Sequence, residues 1–228
     1  MESFDEMLDS FIRLGLAEDV GEGDHTSMAC IRSTRVSKAK LLIKDDGIIS
    51  GVDVAKKIFK EVAAAADFEK LISDGSVVKP GDVAFYVTCP TRALLMAERL
   101  VLNTMQRMSG IATIASLYLQ EIEGLPVKIL DTRKTTPGMR FLEKQAVVHG
   151  GCHNYRAGLY DWIMIKDNHV EACGDIALAI DRVHEYLLKT QKDLSITIEV
   201  RNLVELQKVL DHGGVTRIIG WPSRPGGA

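Results

Sequence analysis

The chain has no long apolar run and no excess of positive charge, and each absence excludes a class of protein. No apolar stretch approaches the roughly 18 residues that a membrane-spanning helix requires. The formal net charge is −3 over 228 residues. Nucleic-acid-binding proteins usually carry a basic stripe or a high pI. We therefore expect neither a membrane nor a nucleic acid as a partner.

The cysteines are few and lie far apart in the sequence. No two of them form a CxxC pair, and they stand at Cys30, Cys89, Cys152 and Cys173. This spacing argues against a structural zinc site and against a disulfide framework, and it fits a reducing compartment. The first residues are acidic and amphipathic, unlike a signal or transit peptide. We predict a cytoplasmic protein.

The first part of the chain has the pattern of a small mixed α/β domain. Apolar residues recur at helical spacing over residues 4–17, and residues 36–44 and 83–87 have the composition of strands with a helix at 52–66 between them. A long helical stretch follows from Thr91 to about residue 123. We predict a break in it at Ser109-Gly110, where a small polar residue precedes glycine.

The second part alternates regularly between strands and helices. The predicted strands are 127–131, 162–166, 195–200 and 215–219. The predicted helices between them are 138–148, 176–188 and 203–210. Near-continuous Val, Ile and Leu in such strands indicates a parallel sheet, either open or closed into a barrel. We place the boundary between an N-terminal domain, 1–115, and a catalytic domain, 116–228.

Cationic residues follow two of these buried strands directly. The run DTRKTTPG at 131–138 carries Arg133 and Lys134, and the segment from 150 to 169 carries Arg156 and Lys166. The catalytic groups of an α/β barrel lie at the C-terminal ends of its strands. Four cations there suit a small substrate with several negative charges.

Each candidate also has a plain structural interpretation. Arg133 and Lys134 could belong to an ordinary basic loop on the surface. Arg99, in a mostly apolar helix, could form a surface pair with Glu98 or could serve function. Glu199 lies on a strand between apolar neighbours and points inward or outward depending on register. An inward carboxylate among phosphate-binding cations would be a natural ligand of Mg²⁺.

Ordered motifs along most of the chain resemble the quinolinate phosphoribosyltransferases, the carboxylating nicotinate-nucleotide pyrophosphorylases of NAD biosynthesis. The resemblance runs from Leu16 to about Ile218. The motifs that carry it are GDHTS at 23–27, AER at 97–99, LN at 102–103, SGIA at 109–112, DTRKTTPGMR at 131–140, LEK at 142–144, Arg156, GL at 158–159 and IKDNH at 165–169.

The resemblance implies an α/β fold in which an N-terminal α/β sandwich domain precedes an α/β barrel, incomplete in this chain. It implies a homodimer or higher homo-oligomer in which Arg99 reaches the neighbouring subunit's site. The implied reaction joins quinolinate to phosphoribosyl pyrophosphate with Mg²⁺, giving nicotinate mononucleotide, pyrophosphate and CO₂. By the same resemblance, the quinolinate carboxylates and the diphosphate are held by Thr132, Arg133, Lys134, Tyr155, Arg156 and Lys166. Lys134 and Glu199 are the implied catalytic residues, with Glu199 also at the metal.

The chain departs from the family pattern at two places. Tyr155 stands where the family usually has His. After Ile218 the family continues into a metal-binding Asp, whereas this chain has Ile219, Gly220 and the tail WPSRPGGA at 221–228. We therefore expect a C-terminally truncated or frame-shifted member that, by itself, transfers no phosphoribosyl group. The alternatives are a non-catalytic homologue that binds full-length subunits, and a related nicotinate phosphoribosyltransferase.

Overall fold

The computed structural model describes residues 3–220, which divide between Tyr155 and Arg156 into two compact units of mixed α/β structure. The α/β class predicted from the sequence is confirmed. The helices of the first unit are α1 (Phe4–Val20), α2 (His25–Cys30), α3 (Val52–Val62), α4 (Thr91–Glu121) and α5 (Arg140–His149). Its strands are β1 (Val36–Leu42), β2 (Gly47–Ile48), β3 (Asp67–Lys70), β4 (Val77–Val78) and β5 (Val83–Pro90).

The first unit is a sheet covered by helices. Strands β1, β5 and β3 form an antiparallel sheet in that order, and β2 pairs with β4 in a separate antiparallel ribbon. Helices α3 and α4 pack together, and α1 packs on both. Side chains such as Ile58, Phe85, Val87 and Met108 make one apolar core from these layers. Burial of this kind of surface is the main favourable term in folding.

Helix α4 runs unbroken for 31 residues, so the predicted break at Ser109-Gly110 is wrong. The Ser109 hydroxyl accepts from Ser50 N at 3.0 Å and donates to Ser50 O at 3.2 Å. One turn later, Thr113 Oγ1 accepts from Ile48 N at 2.9 Å. The polar residues in the middle of the helix therefore bind the backbone of residues 48–50, at and just after β2, and do not end the helix.

The strand predicted at 127–131 is also wrong. Within residues 3–220 this segment makes only one parallel bridge, between Leu130 and His153. The backbone bonds are His153 N to Ile129 O at 3.0 Å and Asp131 N to His153 O at 3.1 Å. Val127 and Leu130 remain 54% and 44% exposed. An apolar run alone does not make a strand, because a ladder needs a partner along its length.

The second unit alternates strand and helix as predicted. Its strands are β6 (Ile163–Ile165), β7 (Ile196–Val200) and β8 (Arg217–Gly220), and its helices are α6 (Asp167–Cys173), α7 (Ile176–Thr190) and α8 (Leu203–His212). The three strands form a parallel sheet in the order β6-β7-β8. Ile198, Ile180 and Val209 are fully buried in its core. This is an open sheet over the part of the chain described.

Three further predictions concern membrane-spanning helices, the domain boundary and the C-terminal tail. Among the helices of residues 3–220, none combines the length and the apolar content needed to cross a membrane. The domain boundary predicted at 115/116 falls within α4 and stays a prediction. The tail 221–228, which departs from the family pattern, lies outside the described residues.

Candidate active site

The first group of predicted site residues lies in residues 132–136, which we call the cationic loop. Lys134 N donates to Thr132 Oγ1 at 3.1 Å, and Thr135 N donates to Arg133 O at 2.9 Å. These local bonds make a tight turn. Lys134 is exposed and Arg133 is half-buried, with its Nε buried and without a hydrogen-bond partner among residues 3–220. Neither cation forms an ion pair with a described side chain.

Asp131 joins the base of the cationic loop to the segment that carries Tyr155. Its Oδ1 accepts from Lys144 Nζ at 2.6 Å and from Tyr155 N at 2.8 Å. With the amide nitrogen of Asn154 turned towards the carboxylate, Asn154 donates to Oδ2 at 2.6 Å and to Lys144 O at 2.9 Å. The side chains of Asp131 and Lys144 are only 7% and 8% exposed. One buried carboxylate therefore fixes Tyr155 relative to the loop.

Glu143 holds the other end of the loop. Its Oε1 accepts from Arg107 at 2.9 Å and 2.8 Å, and its Oε2 accepts from Thr136 N at 3.2 Å. Arg107 also donates to Thr136 Oγ1 at 3.1 Å. Burial opposes ionisation of Glu143, but hydrogen bonds from Thr136 and Arg107 outweigh it and hold the pKa of that carboxyl below its ordinary value.

Arg156 begins the second unit and is 8% exposed. It forms no ion pair with any side chain that the structure describes. A buried cation without a counter-charge is costly unless a ligand supplies one. The backbone that follows it is held by Asp161, whose carboxylate accepts from Ala157 N at 2.5 Å and from Gly158 N at 3.2 Å.

Lys166 and Glu199 are brought together in the second unit. The parallel register pairs Ile165 with Ile198, so Lys166, which directly follows β6, stands beside Glu199 of β7. Lys166 Nζ lies 3.7 Å from Glu199 Oε2, with the two side chains 45% and 27% exposed. Alternation along β7 puts Glu199 on the sheet face opposite the buried Ile198 and Val200. The open question of its orientation is thereby answered: it faces away from the apolar core.

Arg99 lies on the exposed side of α4. The surface pair with Glu98 that we considered is not formed, and no described carboxylate pairs with Arg99. The side chain is therefore a free cation within residues 3–220, available to a ligand or to another protein chain.

Glu199 is the one carboxylate predicted to hold Mg²⁺. Across the ladder from it on β8 stands Ile219, which has no metal-binding group. Residues 3–220 contain no cluster of three or more His, Cys, Asp or Glu side chains that could hold a metal ion. Mg²⁺ is often bound by one or two carboxylates together with substrate phosphates. The donor set thus fits Mg²⁺ only when phosphate oxygens of a substrate complete it.

Four residues that hold the cationic loop in place were not predicted as site residues from the sequence. They are Arg107, Asp131, Glu143 and Lys144. The sequence signal for them was the presence of two charged residues, at 143 and 144, among apolar residues of a predicted helix. Their partners are 13 and 36 residues away along the chain, and spacing alone does not reveal such pairings.

The chain matches two family models over nearly all the described residues. One is the quinolinate phosphoribosyl transferase N-terminal domain, at residues 24–109. The other is the quinolinate phosphoribosyl transferase C-terminal domain, at residues 111–219. An α/β scaffold that carries the cations Arg133, Lys134, Arg156 and Lys166 is thus matched to enzymes of phosphoribosyl transfer. The chain belongs to the quinolinate phosphoribosyltransferase family.

Individual relatives agree with this assignment. Quinolinate phosphoribosyltransferase [decarboxylating] 1 of Nicotiana glauca is 41% identical over 211 residues, 92% of this chain and 60% of that protein. A probable nicotinate-nucleotide pyrophosphorylase [carboxylating] of Synechocystis is 36% identical, covering 90% of this chain and 68% of its own length. The crystal structure of NadC from Streptococcus pyogenes superposes with a TM-score of 0.87 at 31% identity, over 96% of this chain and 76% of that one. The chain spans about 60% of the length of the plant relatives.

Proposed function

We propose that the protein carrying this chain transfers the phosphoribosyl group of phosphoribosyl pyrophosphate to quinolinate, with release of pyrophosphate and CO₂, to form nicotinate mononucleotide. The observation that carries the proposal is a set of cations that form no ion pair with any carboxylate among residues 3–220: Arg133, Lys134 and the buried Arg156. A dicarboxylate and a diphosphate together bring enough negative charge to occupy them. A monocarboxylate such as nicotinate would leave part of that charge unmatched.

Each cation has a proposed role set by its chemistry. The planar guanidinium groups of Arg133 and Arg156 suit bidentate contacts with the two carboxylates of quinolinate. Lys134 and Lys166 offset the negative charge that grows on the departing diphosphate, the place where fixed charge lowers a barrier most. Thr132 and Tyr155 add hydrogen-bond donors to the substrates.

Mg²⁺ is the proposed cofactor. Glu199 would be its ligand from this chain, and the diphosphate oxygens of the substrate would complete the coordination. When bound, the ion neutralises diphosphate charge. Lys166, 3.7 Å from Glu199 in a weak and partly exposed pair, can turn to contact the leaving group itself.

We also propose that the protein is a homo-oligomer, at least a dimer, in which Arg99 serves the neighbouring subunit. Its exposure on α4 without a carboxylate partner among residues 3–220 supports this role. We propose the cytoplasm as its location, because Cys30, Cys89, Cys152 and Cys173 are all free thiols, as is usual in a reducing compartment.

The reaction is tested with quinolinate labelled in its carboxyl groups. The longest natural form of the protein that carries this chain is incubated with labelled quinolinate, Mg²⁺ and phosphoribosyl pyrophosphate. The proposal expects release of labelled CO₂ that requires the pyrophosphate substrate, and no product from nicotinate. Absence of release would favour the non-catalytic homologue. Mononucleotide formed from nicotinate instead would favour the nicotinate enzyme.

A further inference from the structure

Two buried carboxylates flank the cationic loop, and each is already neutralised by a cation from elsewhere. Asp131 precedes the loop and binds Lys144 of α5 at 2.6 Å. Glu143 binds the end of the loop and pairs with Arg107 of α4 at 2.8 Å. The carboxylate side chains are 7% and 6% exposed. A carboxylate held in such a pair already has its counter-charge and is not free to take another cation.

The cations of the loop itself, Arg133 and Lys134, have no ion-pair partner among residues 3–220. Arg133 is only two residues from Asp131, and Lys134 is three, yet neither pairs with it. The Arg133 Nε is buried with no hydrogen-bond partner in the region described. The carboxylate nearest to them in sequence is committed to Lys144.

Removal of the committed cation would change this pairing. A buried carboxylate that loses its counter-charge is strongly destabilised. The side chains of Arg133 and Lys134 are long enough to turn towards Asp131, and Lys134 is exposed and pairs with no carboxylate in the part of the chain that the structure describes. A loop cation captured by Asp131 in this way is no longer available to bind an anionic ligand.

We propose that Lys144 and Arg107 are positioning residues that act through Asp131 and Glu143. By neutralising these two carboxylates, they keep the cations of the loop available for an anionic ligand. Neither Lys144 nor Arg107 needs to touch the substrate. The inference rests on the proposed function for the identity of that ligand, quinolinate.

The test is reversal of the effect by a second substitution. The purified chain is titrated calorimetrically with quinolinate and, separately, with inorganic pyrophosphate. In Lys144→Met, Asp131 is expected to capture a cation of the loop, and the ligand then loses its charge-assisted contact with that cation. Both affinities should therefore weaken by about tenfold or more. Adding Asp131→Asn removes the capturing charge but keeps an oxygen that can accept from Tyr155 N, so affinity should return to within about threefold of wild type. The control Lys57→Met breaks an exposed pair with Asp9, at 3.0 Å, and should change neither affinity.

A second pair tests the same idea with a more exposed cation. Arg107 is half-exposed, so Arg107→Met should fold even if Lys144→Met does not. We expect loss of affinity in Arg107→Met and recovery in the double variant with Glu143→Gln. A purely structural role predicts that affinity falls and recovers only together with the thermal midpoint of unfolding, because the double variants no longer bury an unpaired carboxylate. The charge assignment predicts the loss of affinity even in single variants that are fully folded at the temperature of the titration. Single variants that bind like wild type, or double variants that bind as weakly as the singles, would overturn the inference.

The two ligands separate this inference from the proposed function. Loss and recovery seen with pyrophosphate, in a protein that does not bind quinolinate, would contradict the proposed substrate and leave the charge assignment standing. Wild-type binding of quinolinate without any loss in the single variants would contradict the charge assignment alone.

Discussion

Lys166 Nζ stands 3.7 Å from Glu199 Oε2 at the carboxyl ends of two adjacent parallel strands. Both side chains are substantially exposed, and exposed pairs of this kind contribute only about 0–1 kcal/mol to stability. The contact can therefore be exchanged for contacts with other charged groups at little cost. A pair placed here for stability alone would be closer and more buried, as Asp131 and Lys144 are.

Glu199→Gln should leave the thermal midpoint of unfolding nearly unchanged, because the pair is weak. It should remove the dependence of phosphoribosyl pyrophosphate affinity on Mg²⁺, since a neutral amide is a poor ligand for a hard cation. Titrations with and without Mg²⁺ measure this. Glu185→Gln, an exposed change in the same unit, is the control. A variant that keeps the full Mg²⁺ effect would remove Glu199 from the metal site.

Arg133→Ala and Lys134→Ala should each weaken quinolinate binding by about 10- to 100-fold, because loss of a charged hydrogen bond costs about 1.5–3 kcal/mol. Lys134→Ala should do so without loss of stability, since its side chain is exposed. Lys128→Ala removes an exposed cation a few residues away and serves as the control. Equal affinities in all three variants and in wild type would show that the loop binds no carboxylate.

Tyr155→His should improve quinolinate affinity as the pH falls below about 6.5, where the imidazole becomes charged. The backbone bond from residue 155 to Asp131 does not involve the side chain and should survive the change. Affinity measured across that pH range in both proteins gives the answer. Parallel pH profiles would place the residue 155 side chain away from the substrate.

Glu143 should contribute stability that depends on pH. Its pKa is lower in the folded chain than its ordinary value of 4.5, so the folded state favours the charged form. The contribution is complete above the unfolded pKa and is lost as the pH falls through the lower folded value. Glu143→Gln should therefore lower the unfolding midpoint at neutral pH, and the difference from wild type should shrink in acid. Calorimetric midpoints over pH would contradict this if the gap stayed constant.

Local patterns predicted the elements that bury one face and left out features that depend on distant partners. The sequence 195–200 alternates around Glu199, and β7 lies there as expected. The run 127–131 is also apolar, but within the described residues it makes only a single bridge, between Leu130 and His153. Ser109-Gly110 has the composition of a helix break, but the Ser109 hydroxyl accepts a hydrogen bond from the distant Ser50 N and the helix continues.

The same distinction applies to the candidate site. Cations that follow apolar runs were visible in the sequence because charge in such places has few structural uses. The pairs of Asp131 with Lys144 and Glu143 with Arg107 were not, since each joins segments 13 or 36 residues apart. Such pairings are decided by packing, which periodicity does not encode.

The most direct test of the central claim is a calorimetric comparison of quinolinate with nicotinate on the purified chain. If the unpaired cations form a dicarboxylate site, quinolinate should bind at least about tenfold more tightly, as one additional charged contact provides. Arg133→Ala should remove most of that difference. Equal affinities for the two acids, unchanged by Arg133→Ala, would contradict the account.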